Sequence, residues 1–495
     1  MNSPCFKDLR GFIEQLRAAG ELIEIDAHVS TELEITEIAD RVSKGPDQQN
    51  KALLFNHVTG FDMPLLINAL GSHQRMLMAL GASDYKTIQD RIRFFAKPDF
   101  AKLSGGLLSK LAMLPKLAEL RNVFPVSVSS HQAPCQEVVI TDLKQPLLDK
   151  IPVLTCWPQD GGPFITFPVV FTKDPVTGER NAGMYRMQQY DNTTTGMHWH
   201  KHHDGARIYE NARRQGLDRL EVAAALGCPP HVVYSATAPL PPGLDEMMFA
   251  GFLHNRPVEM VRCKTVDLEV PAQAEIILEG YVLLDELRRE GPFGDHTGYY
   301  SLADDFPVFH ITAMTHRHNP LYLTTIVGKP PQEDCYMGKA TERIFLPLLQ
   351  IFISEIVDMN LPWEGVFHNC VIVSIDKRFP GHAKKVMSSI WGFGQLMFSK
   401  YIIVVDSHVN VHNLSEVAWH VFNNTDPRRD TMFADGPLDI LDHASPLWAY
   451  GSKLGIDATK KWPTEGFNRD WPDEIEMDSA VQAQVSARWQ TLFSS

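Results

Sequence analysis

The character of the chain changes twice along its length. Between about residues 130 and 320 the apolar residues fall in short strand-like runs, at 165–172, 181–190, 197–203, 258–264, 274–284 and 308–315. Turn clusters such as Asp174-Pro-Val-Thr-Gly178 and Asp191-Asn-Thr punctuate them, and helical spacing shows at 244–254. Many strands with few helices between them predict an antiparallel barrel or sandwich, since parallel neighbours need crossover helices. Before this stretch the writing is α/β. Phe6, Leu9, Phe12, Ile13 and Leu16 follow a helical stripe that Gly20 ends as a left-handed cap. A second helix is expected from Thr31, with Glu34 completing a capping box and Leu33, Ile35, Ile38 and Val42 inward. Strands are expected at 22–25 and 52–58, and the Lys/Leu-rich stretch 103–120 predicts a helix leading onward.

From Asp334 the alternation returns, with helices at 339–352, 383–398 and 414–422 and apolar strands at 371–375 and 401–405. That is the rhythm of a partly parallel sheet. A last helix near 479–492 presents Val481, Val485 and Trp489, placed against a neighbouring domain or subunit. The division expected is 1–120, an α/β domain; 121–325, a β domain; 326–475, a second α/β domain; and 476–495, a terminal helix.

Composition serves mainly to exclude. A formal charge of −14 and the lack of a long Lys/Arg run argue against a nucleic-acid partner. Seven scattered cysteines without a CxxC pair fit reduced thiols in the cytosol. Asp8, Arg10, Glu14 and Arg17 interrupt any apolar leader, and no run approaches the ~18 apolar residues of a membrane span.

The densest chemical signal is Asn181-Ala-Gly-Met-Tyr-Arg186 followed by His198-Trp-His-Lys-His-His203. On a strand, His198, His200 and His202 would share one face, with His203 on the other. Neutral imidazoles suit divalent metals; the plainer alternative is a solvated polar face. Asn181 and Arg186 are five apart and can serve one site only if a bulge or strand end intervenes. In Glu290-Gly-Pro-Phe-Gly-Asp-His-Thr-Gly-Tyr-Tyr300, a stiff turn holds two carboxylates. In a shielded place such a pair is expected to split its pKa values, one acid donating and one accepting. Arg186 is the candidate arginine to keep one ionised or to clamp a substrate carboxylate. Solvated acids on a surface turn are the alternative. Glu246, opening an apolar helix, either complements its dipole or completes an Asn/His/Glu set suited to Mn or Mg. Gly392-Phe-Gly394 lies inside a helical stretch and lacks the strand–turn–helix context of a dinucleotide loop, while Gly381-His-Ala-Lys-Lys385 starts a helix that either meets a phosphate or, more plainly, exposes solvated lysines.

In order along the chain, Leu33-Glu-Ile-Thr-Glu-Ile-Ala-Asp-Arg41, Thr155-Cys-Trp-Pro158, Asn181 with Arg186, the 290–300 motif and Gly451-Ser-Lys-Leu-Gly-Ile-Asp-Ala-Thr459 resemble the UbiD-like decarboxylases. The resemblance covers nearly the whole chain. It implies an N-terminal α/β domain, a central split β-barrel that binds flavin, and a C-terminal α/β domain used for oligomerisation, as homodimer or homohexamer. The implied cofactor is prenylated FMN, made by a flavin prenyltransferase, whose added ring acts as an azomethine-ylide-type electrophile. Its phosphate is held through a divalent metal, usually Mn2+, with K+ alongside. By position, Asn181, His202 and Glu246 match the metal ligands. Met184, Tyr185 and Arg186, with His198, Trp199, His200, His203 and Asp204, match the cofactor-binding stretch. Arg186, Glu290 and Asp295 match the catalytic network, in which Glu290 or Asp295 carries the proton that replaces CO2, Asp295 being favoured for aromatic acids. The ubiquinone branch carries arginines where this chain has His198 and His203. The wording Thr194-Thr-Gly-Met-His-Trp199 is closer to the menaquinone-associated branch. The implied substrate is therefore an aromatic acid of the dihydroxynaphthoate or polyprenyl-4-hydroxybenzoate type, the latter bringing peripheral contact with a membrane. The alternatives are a non-catalytic flavin or metal scaffold and an arene carboxylase running in reverse.

Overall fold

The structure, a computed structural model, describes residues 6–96, 122–200, 203–241 and 243–493. The helix expected over 103–120 and the candidate ligand His202 lie outside the described residues. Helix Leu9–Ala18 buries Leu9, Phe12, Ile13 and Leu16 and is capped by Asp8, whose carboxylate accepts from the Gly11 amide. Gly20 takes the left-handed conformation (φ 67°) just beyond its end, as the spacing predicts. The second helix differs from expectation. It runs Glu34–Ser43, preceded by Leu33 at φ 64° with no side-chain cap. Glu34 reaches back to accept from the Ser30 amide at 2.7 Å, so the acid secures the entering loop rather than a Thr31 box. Ile35 is buried, while Leu33, Ile38 and Val42 are half-buried.

Strands Leu22–Ile25, Ala52–Phe55 and Leu65–Ile67 form a small mixed sheet. Its fourth strand, Tyr322–Leu323, comes from the far end of the central region and pairs parallel to Leu65 and Leu66. The central sheet has the order Thr194–Gly196, Asp304–His316, Ile276–Glu290, Arg219–Leu226, Val169–Lys173, Arg180–Gly183, every neighbouring pair antiparallel. Val138–Ile140 adds to the other end of Asp304–His316. The sheet is open, and no closed barrel forms among the described residues.

Three local readings change. The run 181–190 breaks into Arg180–Gly183 in the main sheet and Met187–Gln188, which pairs with Phe164–Ile165 in a separate ribbon. Residues 197–200 of the expected run 197–203 are not in a strand, because pairing stops at Gly196 opposite Val308, and a helix opens at Asp204. Strand Arg219–Leu226, at the sheet centre, has no counterpart in the sequence reading. Its inner residues Ala223, Ala224 and Ala225 carry helix propensity, and only complete burial against two neighbouring strands overrides it.

In the C-terminal region Cys370–Ile375, Tyr401–Asp406 and Tyr450–Asp457 are parallel, flanked by antiparallel edges Ile356–Asn360 and Thr431–Pro437. The expected helix 383–398 is two elements, helix His382–Trp391 and a 3-10 turn Gly394–Phe398, parted where Gly394 adopts φ 48°. Helix Glu333–Phe352 joins the regions. Tyr336, Met337, Ala340 and Ile344 pack into a core shared by the N-terminal helices and the central sheet, and Leu346 and Leu349 into the C-terminal core. Helix Ser479–Leu492 forms as expected, but none of its residues is buried. Among the described residues no helix is long and apolar enough to cross a membrane.

Candidate active site

The 15-residue strand Ile276–Glu290 delivers Glu290 to a turn whose geometry its glycines permit. Gly291 sits at φ 87°, a conformation side chains resist, and its amide donates to Gln188 Oε1 at 2.8 Å. Gly294 lies so close to Trp157 that a Cβ would come within 2.2 Å of the indole. Trp157 is itself anchored by its ring N–H to the Val327 carbonyl (2.8 Å). Asp160 accepts from the amides of Cys156, Trp157 and Gly294, tying the Thr155–Pro158 motif to the turn. Phe293–Gly294 then pairs with Tyr300–Ser301 and brings Asp295 back towards Glu290.

Between the two carboxylates lies Arg186, in the gap between Arg180–Gly183 and Met187–Gln188. The strand end that Asn181 and Arg186 required is present. Arg186 donates from Nε (3.1 Å) and Nη2 (3.0 Å) to Glu290 Oε1, from Nη1 to Asp295 Oδ2 (2.5 Å) and from Nη2 to Ser301 Oγ (3.0 Å). Its guanidinium lies 4.5 Å from the Phe293 ring centroid. The Glu290 side chain is fully buried, and those of Arg186 and Asp295 nearly so.

The expected split of carboxylate pKa values does not occur. Burial pushes both Glu290 and Asp295 upward, but the shared guanidinium outweighs it, with help from His198 on one and His296 on the other. Both are held below the usual carboxylate range. The arginine replaces carboxylate–carboxylate repulsion with two attractions.

The histidines form two chains. Glu290 Oε2 is 2.8 Å from His198 Nδ1, and His198 Nε2 is 2.6 Å from His200 Nε2. Burial and Arg186 hold His198 below its ordinary pKa, and burial beside two other imidazoles pushes His200 down to about 2, so both are neutral. His203 is not on an opposite face. Its ring centroid is 5.2 Å from that of His200 and 5.2 Å from that of Tyr185, and its amide donates to the His200 carbonyl at 2.9 Å. On the other side, His296 Nδ1 meets Asp295 Oδ1 at 2.9 Å and His296 Nε2 meets His368 Nε2 at 2.9 Å. Burial opposes charge on His296, but the bond to Asp295 and its charge prevail and raise it to about 9. His368 is pushed by burial to about 4. The charged ring thus donates from both nitrogens and His368 accepts.

The candidate cofactor residues lie next to this cluster in the chain. Asp245 caps helix Glu246–His254, and Glu246 Oε2 accepts from the Ala182 amide at 3.1 Å, beside Asn181. Burial pushes Glu246 up to about 7. Asn181 Nδ2 and Trp199 Nε1 are buried donors without partners. A half-buried carboxylate bonded to the Ala182 amide, beside the unpaired amide of Asn181, suits a divalent cation. Tyr185 is buried, its hydroxyl accepting from the Gly205 amide, and Met184 is half-buried. The Asp204 carboxylate is at the surface, paired with Arg207.

Comparison with known proteins decides the family. Residues 126–330 match the Rift-related domain of 3-octaprenyl-4-hydroxybenzoate carboxy-lyase, 335–458 its C-terminal domain and 13–93 its N-terminal domain. The chain belongs to the UbiD family. An uncharacterized protein of Archaeoglobus fulgidus is 50% identical over 98% of both chains. One of Aquifex aeolicus is 47% identical over 98% of this chain and 99% of its own. The closed form of the vanillic acid decarboxylase of Sedimentibacter hydroxybenzoicus has a TM-score of 0.84 at 27% identity, covering 99% of each chain. HmfF, a UbiD-class enzyme of Pelotomaculum thermopropionicum solved in complex with FMN, has a TM-score of 0.77 at 28% identity, covering 96% of this chain and 99% of its own. This UbiD-family chain is a carboxy-lyase.

Sequence reasoning did not single out His296, Ser301 or His368. His296 was marked by standing next to Asp295 inside the quoted motif. His368 had no such signal, since 72 residues separate it from its partner.

Proposed function

We propose that the chain is a prenylated-FMN-dependent decarboxylase of an aromatic carboxylic acid, a quinone precursor of the dihydroxynaphthoate or polyprenyl-4-hydroxybenzoate type. The observation that carries this reading is Arg186 held between two buried, ionised carboxylates, one of them bonded to a charged histidine. HmfF, solved in complex with prFMN in an evolved dimeric form, supports the cofactor and a homodimer, with a homohexamer as the alternative. Vanillic acid decarboxylase supports an aromatic substrate.

Asn181 and Glu246, with His202, would hold Mn2+ or another divalent cation, K+ lying alongside. Met184, Tyr185, Arg186, His198, Trp199, His200 and His203 would line the flavin. When bound, the prenylated flavin supplies the electron sink that an aryl ring losing CO2 lacks. The protein's own contribution is position and a proton. Arg186 offers the substrate carboxylate a planar pair of donors, and in turning to it loosens its hold on Asp295. Glu290 remains the anchor of the guanidinium, steadied by neutral His198. Asp295, with less of the cation that kept it ionised, rises in pKa and takes the proton that His296 holds at neutral pH. It then passes that proton to the ring carbon vacated by CO2. Phe164, Phe293 and Phe306, packed around Arg186 and His198, keep water from competing.

The test is production in the cytosol alongside a flavin prenyltransferase, followed by CO2 release from a panel of aryl acids. The native chain takes up a flavin-like absorption band and turns over at least one acid. Stoichiometric flavin with no turnover on any acid would overturn the reading.

A further inference from the structure

Outside the site described above, three potential metal ligands from three separate elements meet on the C-terminal region. His408 lies in the turn after strand Tyr401–Asp406, closed by the Val409 amide on the Asp406 carbonyl. His420 is buried on helix Leu414–Asn424. Glu474 belongs to the irregular segment leading to helix Ser479–Leu492. Glu474 Oε1 is 3.2 Å from His408 Nε2 and 3.8 Å from His420 Nδ1, and one ligand atom from each residue lies within 4.8 Å of the others.

We propose that His408, His420 and Glu474 bind a divalent cation of borderline softness, zinc in the first instance, with water as fourth ligand. With Zn–N and Zn–O bonds of about 2.0–2.1 Å, neighbouring tetrahedral ligand atoms stand roughly 3.3 Å apart. The two contacts to Glu474 already bracket that spacing, and ordinary side-chain rotation brings in the rest. The Asn424 amide lies 3.1 Å from His420 Nδ1, which makes that nitrogen an acceptor with the ring proton on Nε2. The cation would take the lone pair that Asn424 now holds and displace the proton that His408 Nε2 shares with Glu474. Trp419, edge-on at 4.7 Å, fixes the ring plane. Two nitrogens to one carboxylate select zinc, cobalt or nickel over manganese or magnesium, which prefer oxygen. The ion therefore differs in class from the metal proposed beside the flavin.

The consequence is a clip. The segment around Glu474 has no regular structure and is largely exposed, and the helix after it buries none of its residues. A cation shared with His420 fastens this segment to a buried helical position.

The experiment titrates Zn2+ into the chelator-stripped full chain in excess Mn2+, which occupies oxygen-rich sites, and compares native protein with His408→Ala and Glu474→Gln. Both changes are at exposed positions and leave the core intact; His420→Ala serves as a third variant. The native chain is expected to bind one more Zn2+ per chain than either exposed variant. Zn2+ should slow tryptic cleavage after Arg469 in the native chain only, with decarboxylation unchanged in His408→Ala. Equal Zn2+ stoichiometry in the native chain and its variants, or equal protection from trypsin, overturns the proposal and leaves an ordinary histidine–glutamate hydrogen bond.

Discussion

Replacing His368 by leucine should move the basic limb of the pH–rate profile to lower pH. In the native structure His296 is charged, donating to Asp295 and to His368 at 2.9 Å each, with its pKa raised to about 9 against the penalty of burial. His368 is neutral and accepts, and its own Nδ1 is buried without a partner. Leucine removes the acceptor from a charged N–H, a bond worth about 1.5–3 kcal/mol. At 1.36 kcal/mol per pKa unit, that lowers His296 by roughly one to two units. If His296 supplies the catalytic proton, kcat holds on the acid side and fails above its pKa. A limb near pH 9 in the native enzyme then falls to roughly 7–8 in the variant. His368→Gln, whose amide oxygen can accept the same proton, restores most of the difference. The assay is the initial rate of CO2 release at saturating acid, from about pH 6 to 10, on flavin-loaded protein. A basic limb that stays in place in His368→Leu, or that leucine and glutamine shift equally, would refute the reasoning. The same raised pKa has a stability counterpart. It stabilises the fold fully below the unfolded value near 6.5, and that contribution is lost as pH rises through about 9. The variant should lose it earlier, which denaturation midpoints at several pH values will show.

Glu290→Gln should fold, retain flavin and lose about 10²-fold or more in kcat, because Arg186 loses its charged anchor and a misplaced guanidinium misaligns the substrate. Circular dichroism with CO2 release checks this, and an active variant sinks the proposed network. Gly294→Ala forces a Cβ to 2.2 Å from a Trp157 ring that cannot retreat, and should cost about 1–3 kcal/mol in stability, read from denaturation midpoints. Glu246→Gln should leave the fold intact but lower the Mn2+ and flavin carried per chain; metal analysis and the flavin absorbance report both, and full retention would remove Glu246 from the cation site.

How far the sequence could be read depended on distance. Local periodicity was enough for helix Leu9–Ala18 and its Gly20 cap, and for strand Tyr401–Asp406, since the pattern that marks each is complete within a few turns or one run of side chains. It failed at 197–200, where alternation looks like a strand but no neighbour continues the ladder beyond Gly196. It also failed at Arg219–Leu226, where three alanines are β only because Phe171, Val170 and Val169 on one side and Glu279, Leu278 and Ile277 on the other hold them so.

The site divides along the same line. Residue type and spacing put Arg186, Glu290 and Asp295 forward, with solvated acids on a surface turn as the alternative, and the resemblance to the UbiD-like decarboxylases favoured the site. What the sequence could not contain was their protonation. A pKa belongs to a surrounding, and here that surrounding comes from residues about a hundred positions apart. Arg186 meets Glu290 across 104 residues, and His368 reaches His296 across 72. Only the tertiary structure determines that one cation serves both acids, that His198 is neutral and His296 charged, and that the proton store of the site ends on the C-terminal region.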